Sequence, residues 1–238
     1  MSIQDQSKST SYEMFNRIAK TYDPVNRMLS FGLDIGWRKK VGRLLPQREE
    51  GLDLLDLATG TADQALFLCA QHPESIRSVV GMDLSEGMLA VGREKVLSRH
   101  MEHKITLKTG DACDLPLEES SFDAVTISFG IRNVPDVPKA LREMHRILRP
   151  GGKALILEFA IPKNRIVRFG HLFYLRHVLP LVGGIVSGDK AAYRYLNTSI
   201  EAFPYGQDFA NLLTDAGFAQ ANVHSVTFGI ANIYEGIK

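Results

Sequence analysis

The 238-residue sequence predicts an α/β fold: a mostly parallel, seven-stranded sheet with helices on both faces, preceded by N-terminal helices and interrupted by a helical insertion after the fifth strand. Three observations predict it. Short apolar strands alternate with helical stretches from Leu52 onward, the rhythm of a covered parallel sheet. The first strand runs into a small-residue turn and then a helix, Leu52 to Gln64, LDLLDLATGTADQ. Later strands end in acids, Asp83 and the Gly110-Asp111 turn.

Composition bounds the class. Hydrophobic residues make up 45% of the chain, enough for a substantial core. With 28 basic and 27 acidic residues the net charge is +1, which does not point to a nucleic-acid partner. Cys69 and Cys113 have neither metal nor redox spacing, so a reducing, cytoplasmic compartment is expected. Residues 1–10 are polar, an expected loose start without an apolar signal region. No apolar run reaches the ~18 residues of a membrane span.

The chain reads in order as one domain, 1–238. A helical cap covers 1–46, with Met14, Phe15 and Ile18 on one face and Trp37, Val41 and Leu44-Leu45 on another. Tyr22-Asp23-Pro24 is expected to break the first helix and Ser30-Phe31-Gly32 the next. Strands follow at Leu52–Leu57, Ser78–Met82, Ile105–Lys108, Phe122–Ile127 and Lys153–Phe159, with helices at about Ser85–Leu97 and Val137–Leu148 between them. Residues 160–204 break the rhythm as an apolar, aromatic insertion. A helix at Gln207–Ala216 and strands near Gln220–Val226 and Phe228–Ile233 close the chain.

In open parallel sheets ligands sit beyond the carboxyl ends of the strands. A strand that turns into a helix presents unpaired N–H groups there, and Gly60 lets the backbone come close to a ligand. Asp83, some twenty residues beyond that turn, suits the two hydroxyls of a ribose. The Asp111-Ala112 turn suits an adenine edge. No third glycine completes a dinucleotide fingerprint, and no Gly-Lys-Ser/Thr forms a P-loop. A sulfonium donor needs no phosphate cradle and tolerates acids such as Asp56 and Asp63. The balance favours S-adenosylmethionine over NAD.

Asp56-Leu57-Ala58-Thr59-Gly60-Thr61 resembles motif I of the class I S-adenosylmethionine methyltransferases, which have a Rossmann-like fold. More specific blocks are similar to the ubiquinone/menaquinone biosynthesis C-methyltransferase family. These are Tyr22 to Gly32 with Trp37-Arg38, Thr126 to Val134, Arg146 to Gly152, and Tyr195 to Ile200 with Phe203-Pro204. Val25 and Asp34 stand where the family has Met and His, and Thr227-Phe228-Gly229-Ile230 where it has Thr-Gly-Gly-Ile. Ala62-Asp63 tilts toward the menaquinone branch.

The resemblance implies donor contacts at Thr61, Asp83, Asp111, Ala112 and Ser128, to which the strand-end reading adds Asp56 and Gly60. It also implies methylation of a ring carbon on a prenylated quinol at the membrane surface. Arg132 and Asn133 are the candidate catalytic pair: Arg132 to stabilise a developing phenolate, Asn133 to orient the ring or a water. Tyr22, Asn26, Phe173 and Tyr195 are the candidate acceptor contacts. Three uses of the apolar run 165–187 stay open: an acceptor tunnel, a membrane-surface helix, or a packed lid or homodimer contact. The seven histidines show no zinc spacing, so no metal is expected.

Overall fold

The computed structural model of the protein describes residues 11–182 and 190–238, so the expectation for residues 1–10 and that for the end of the apolar run lie outside the described residues. Two helices come first, α1 (Ser11–Leu29) and α2 (Leu33–Leu44). Then follow β1 (Leu52–Leu57), α3 (Asp63–Gln71), β2 (Ile76–Asp83), α4 (Glu86–Ser98), β3 (Ile105–Thr109) and β4 (Phe122–Ser128). A 3-10 turn, Ile131–Asn133, leads to α5 (Val137–Ile147) and β5 (Leu148–Phe159). The insertion contributes α6 (Arg165–Phe173), a π-helical turn (Tyr174–Val178) and α7 (Lys190–Ala202); α8 (Gln207–Asp215), β6 (Gln220–Val226) and β7 (Ala231–Ile237) end the fold.

The sheet order is β3-β2-β1-β4-β5-β7-β6. All neighbours are parallel except β7, which runs antiparallel to β5 and β6. The order reverses between β1 and β4, and a crevice opens beyond their carboxyl ends. Alternation along β1 sends Leu52 and Leu54 to one face and Leu55 and Leu57 to the other. The first pair packs with Trp37, Val41, Leu66 and Val96; the second with Leu141, Met144, Phe209 and Leu213. Both faces of the sheet are therefore covered, which is why every residue of β1 but Asp53 and every residue of β4 but Ser128 is buried.

Several boundaries differ from the sequence expectation. β5 starts at Leu148, not Lys153, and runs through Pro150-Gly151-Gly152, and β2 starts at Ile76, not Ser78. Two further differences have a clear physical cause. Pro24 lies inside α1 and does not break it. Proline removes one N–H from the ladder and costs about 3 kcal/mol in a helix interior. Packing overrides that cost: Val25 and Leu29, just after it, are buried with Ile161, Leu175, Leu179 and Ile200. The break comes at Ser30–Gly32, where Phe31 (φ 51°) and Gly32 (φ 73°) are left-handed. The last strand starts at Ala231, three residues later than expected, because Thr227–Gly229 forms a 3-10 turn with Thr227 and Phe228 at positive φ.

Candidate active site

The turn after β1 is a string of left-handed residues: Ala58 (φ 46°), Gly60 (φ 57°) and Ala62 (φ 60°). Alanine in this region costs about 1–2 kcal/mol each, and such strain clusters at ligand sites. A Cβ on Gly60 would only touch Met88 Cε at 3.5 Å, so its glycine answers to backbone conformation rather than crowding. Gly130 is the opposite case: a Cβ there would lie 2.5 Å from Ala58 Cβ. The loops after β1 and β4 are pressed together at that point.

Asp83, at the end of β2, clamps this turn. Its Oδ2 accepts the Gly60 N–H at 2.8 Å and its Oδ1 accepts the Ser85 N–H at 2.8 Å. Burial raises its pKa against those bonds. Asp56 is buried under the turn and accepts from Thr59 Oγ1 and Thr126 Oγ1, both at 2.6 Å. Burial outweighs the two hydroxyls and pushes its carboxyl up to about 6.

These groups line a cavity of about 280 Å³, called the polar cavity for the carboxylates, amides and hydroxyls set among its apolar wall residues. Asp56, Gly60, Thr61, Asp83, Asp111, Ala112 and Ser128, the seven expected donor residues, all belong to its wall. Asp111 holds its own turn, with Oδ1 accepting the Cys113 N–H at 2.8 Å. Ser128 Oγ and Arg38 Nη1 both donate to Gln64 Oε1, at 3.2 and 2.8 Å. Gln64 Nε2 and Arg38 Nε are buried without a hydrogen-bond partner. The wall thus offers acceptors from Asp83 and Asp111, an unpaired amide N–H of Gln64, and the Arg38 guanidinium, whose Nε lies 3.7 Å from Asp34 and 3.8 Å from Asp63. A nucleoside carrying an amino-acid carboxylate fits that polarity; a pyrophosphate does not.

The cap closes over this cavity. Thr61 Oγ1 donates to Asp23 Oδ1 at 2.6 Å, and Lys95 Nζ reaches Asp23 Oδ2 at 2.7 Å and Asp63 Oδ1 at 3.0 Å. Asn16 Oδ1 accepts from Ser85 Oγ at 2.7 Å and from the Gly87 N–H at 2.8 Å, so α1 also caps the start of α4.

A second cavity, of about 410 Å³, lies on the other side of α1 and is mostly apolar. Phe15, Tyr22, Asn26, Asp34, Arg38 and Phe129 line both cavities and form their common wall. The 3-10 turn straddles that wall: Arg132 faces the apolar cavity and Asn133 the polar one. Tyr195, lining the apolar cavity, donates its hydroxyl to Asn133 Oδ1 at 3.1 Å. Arg132 Nη1 bonds Glu158 Oε1 at 2.7 Å and the Phe129 carbonyl at 2.5 Å. Burial raises the Glu158 pKa although Arg132 pulls it down. Burial also raises Tyr22, again opposed by Arg132.

Of the expected acceptor residues, Tyr22, Asn26 and Tyr195 meet at this cavity. Phe173 does not: its side chain is 55% exposed on the outer face of α6, its ring 5.0 Å from that of His177. Gln64, Arg38 and Lys95 escaped the sequence reading because each lies on a helix and owes its place to the cap. Arg38 sits beside Trp37 in the recognised block, the one signal that marked it.

A family model described as the ubiE/COQ5 methyltransferase family matches residues 2–238. The ubiquinone/menaquinone biosynthesis C-methyltransferase UbiE of Geobacter sulfurreducens is 44% identical over 226 residues, covering 95% of this chain and 87% of the relative. The demethylmenaquinone methyltransferase of Thermus thermophilus is 42% identical over 223 residues, covering 94% and 99%. Among solved structures, a SAM-dependent methyltransferase of Thermotoga maritima, a possible histamine N-methyltransferase, superposes with a TM-score of 0.66 at 19% identity, covering 95% of this chain and 99% of that one. At that identity the likeness concerns the Rossmann-like fold alone.

Proposed function

Since the chain belongs to the ubiE/COQ5 methyltransferase family, we propose that it moves the methyl of S-adenosylmethionine onto a ring carbon of a prenylated quinol. The relatives named for demethylmenaquinone and for ubiquinone/menaquinone synthesis support that acceptor class. The carrying observation is the shared wall. A polar cavity suited to a nucleoside and an apolar cavity suited to a greasy ring meet across six side chains, with Arg132 and Asn133 on one turn facing one cavity each.

The polar cavity holds the donor, with Asp83 and the Asp111-Ala112 turn at the nucleoside end and Gln64 and Arg38 at the carboxylate end. When bound, the donor supplies an electrophilic methyl. The ring carbon becomes nucleophilic when its neighbouring hydroxyl, of pKa near ~10, gives up a proton. Arg132 stabilises the resulting phenolate, and Asn133, fixed by Tyr195, orients the ring or the water that takes the proton. Holding the two reactants in line supplies much of the rate. By its resemblance to the menaquinone branch, the Ala62-Asp63 pair tilts this reading toward a naphthoquinol.

The cap and the insertion form the acceptor side of a single domain. The insertion helix presents two faces. Val167, His171 and Leu175 line the apolar cavity, while Ile166, Phe169 and Phe173 are 84%, 76% and 55% exposed. Phe31, 78% exposed, stacks near Tyr174 beside them. Lys163 and Arg165 border this apolar strip. Such a strip rests on a membrane surface, from which a prenylated substrate enters. Among the described residues no helix is long and apolar enough to cross a membrane; the proposed contact is a transient one at the membrane surface.

Purified protein, methyl-labelled donor, and reduced prenyl naphthoquinol and benzoquinol acceptors test the proposal. Label on a ring carbon, with the naphthoquinol preferred, is the expected product. Label on a ring oxygen, or none on either acceptor, contradicts it.

A further inference from the structure

Three residues lining the apolar cavity have a buried side-chain nitrogen without a hydrogen-bond partner, but the guanidinium groups of Arg38 and Arg132 each face a carboxylate, Asp34 and Glu158, whereas His171 faces none. Tyr174 donates its hydroxyl to the Leu29 carbonyl at 2.7 Å, Tyr195 to Asn133, and Arg132 to Glu158 and Phe129. His171 is buried, at 9% exposure, and its Nε2 has no hydrogen-bond partner. It lines the cavity on the face of the insertion that continues, a turn at a time, to Leu175 and Leu179. A buried, unpaired ring nitrogen costs about 1–3 kcal/mol unless something satisfies it. An apolar lining needs no such group, since leucine would fill the place at no polar cost.

From this we infer that His171 is a positioning residue that hydrogen-bonds the tail-side hydroxyl of the quinol ring. The inference rests on the proposed acceptor class and adds to it. In a prenylated quinol of this kind the methyl-accepting carbon and the tail-bearing carbon are neighbours, and each is flanked by one hydroxyl-bearing carbon. The hydroxyl beside the accepting carbon belongs at the common wall, with Arg132 and Asn133. The other hydroxyl stands beside the tail and faces the far side of the cavity. His171 lines the apolar cavity and not the polar one, on the same stretch as Leu175 and Leu179, against which a prenyl chain packs. Burial alone lowers its pKa, so its ring is neutral near pH 7 and can either accept the hydroxyl proton in a hydrogen bond or donate to the oxygen. Two oxygens held at opposite ends of the ring fix which carbon faces the donor.

Two acceptors separate this role from packing. One is a geranyl naphthoquinol. The other is the geranyl naphthol that keeps the hydroxyl beside the accepting carbon and lacks the tail-side one. The kcat/KM preference for the first over the second is measured in the wild-type protein, in His171→Leu and in His171→Gln, with His171→Met in place of the Leu variant if that one does not fold. The Leu variant should lose about tenfold on the quinol, chiefly in KM, and little on the naphthol, so that the preference collapses. The Gln variant, which keeps a hydrogen-bonding end, should restore part of it. An unchanged preference in the Leu or Met variant overturns the inference while leaving the proposed function standing. Failure of the wild-type protein to methylate either ring overturns both.

Discussion

The Thr61 hydroxyl donates to Asp23 Oδ1 at 2.6 Å, which bolts the turn after the first strand to the front helix. Lys95 holds the same carboxylate from the other side at 2.7 Å. One helix therefore roofs the polar cavity and, with Met14, Phe15 and Ile18, walls the apolar one. Asp23→Ala leaves the sheet untouched and releases this bolt. Hydrogen bonds to a charged group contribute about 1.5–3 kcal/mol, so donor affinity should fall roughly ten- to a hundredfold in calorimetry while far-UV circular dichroism stays unchanged. Equal affinity in the variant would show that the cap plays no part in holding the donor.

Two acids three residues apart on β1 behave in opposite ways. Asp53 is held at about 2 by hydrogen bonds from Arg77, with Ser78 and Arg149 adding to it, whereas burial lifts Asp56 from 3.8 to about 6. Between 3.8 and about 6 the folded state keeps a proton on Asp56 that the unfolded chain has lost. The contribution of Asp56 to stability therefore falls as pH rises through that window and is flat above it. Replacing it by Asn removes the effect. The stability difference, wild type minus Asp56→Asn, should drop by up to about 3 kcal/mol between pH 4 and pH 7 in urea titrations. A difference that rises with pH would mean that the carboxylate is stabilised, not penalised, where it lies.

Phe228 is left-handed, φ 56°, and 84% exposed. Its ring returns little burial for a conformation that glycine adopts freely. Phe228→Gly should stabilise the protein by about 1 kcal/mol, visible as a higher urea midpoint with the slope unchanged. A loss of stability would mean that the ring makes contacts outweighing its backbone strain.

The two faces of the insertion separate by mutation. Leu179 is 5% exposed and lines the apolar cavity, so Leu179→Phe narrows it. The acceptor KM should rise with tail length, and the donor KM should not. Phe173→Ala acts on the outer face. It should leave kinetics with a short-tailed acceptor unaltered and weaken co-sedimentation with anionic lipid vesicles. The reverse pattern would place the tail outside the cavity.

Much of this was legible in the sequence, because the buried parallel strands are mostly apolar and the cavity residues follow their ends. Asp83 and the Asp111 turn were marked by their place after a strand, and the seven residues expected to contact the donor line one cavity. Local signals failed where distant packing decides. Pro24 reads as a helix stop until Val25 and Leu29 find their partners in the insertion. Asp53 and Asp56 look alike in LDLLD, and the burial of Asp56 and the bonds from Arg77, Ser78 and Arg149 to Asp53 tell them apart. Phe173 reads as an acceptor contact because its segment is rich in apolar and aromatic residues. Which side faces the cavity depends on how α6 is rotated against α1. Gln64 and Arg38 gave no signal of their own, since their unpaired nitrogens exist only once α2 and α3 meet.

Calorimetry with S-adenosylmethionine on the wild-type protein and on Asp83→Ala tests the central claim most directly, that the cavity closed by the first strand's turn holds the donor. The wild type should bind one equivalent, and the variant, with Gly60 and Ser85 unclamped, should bind at least about tenfold more weakly while remaining folded. No uptake by folded wild-type protein, or the same affinity in both, would contradict it.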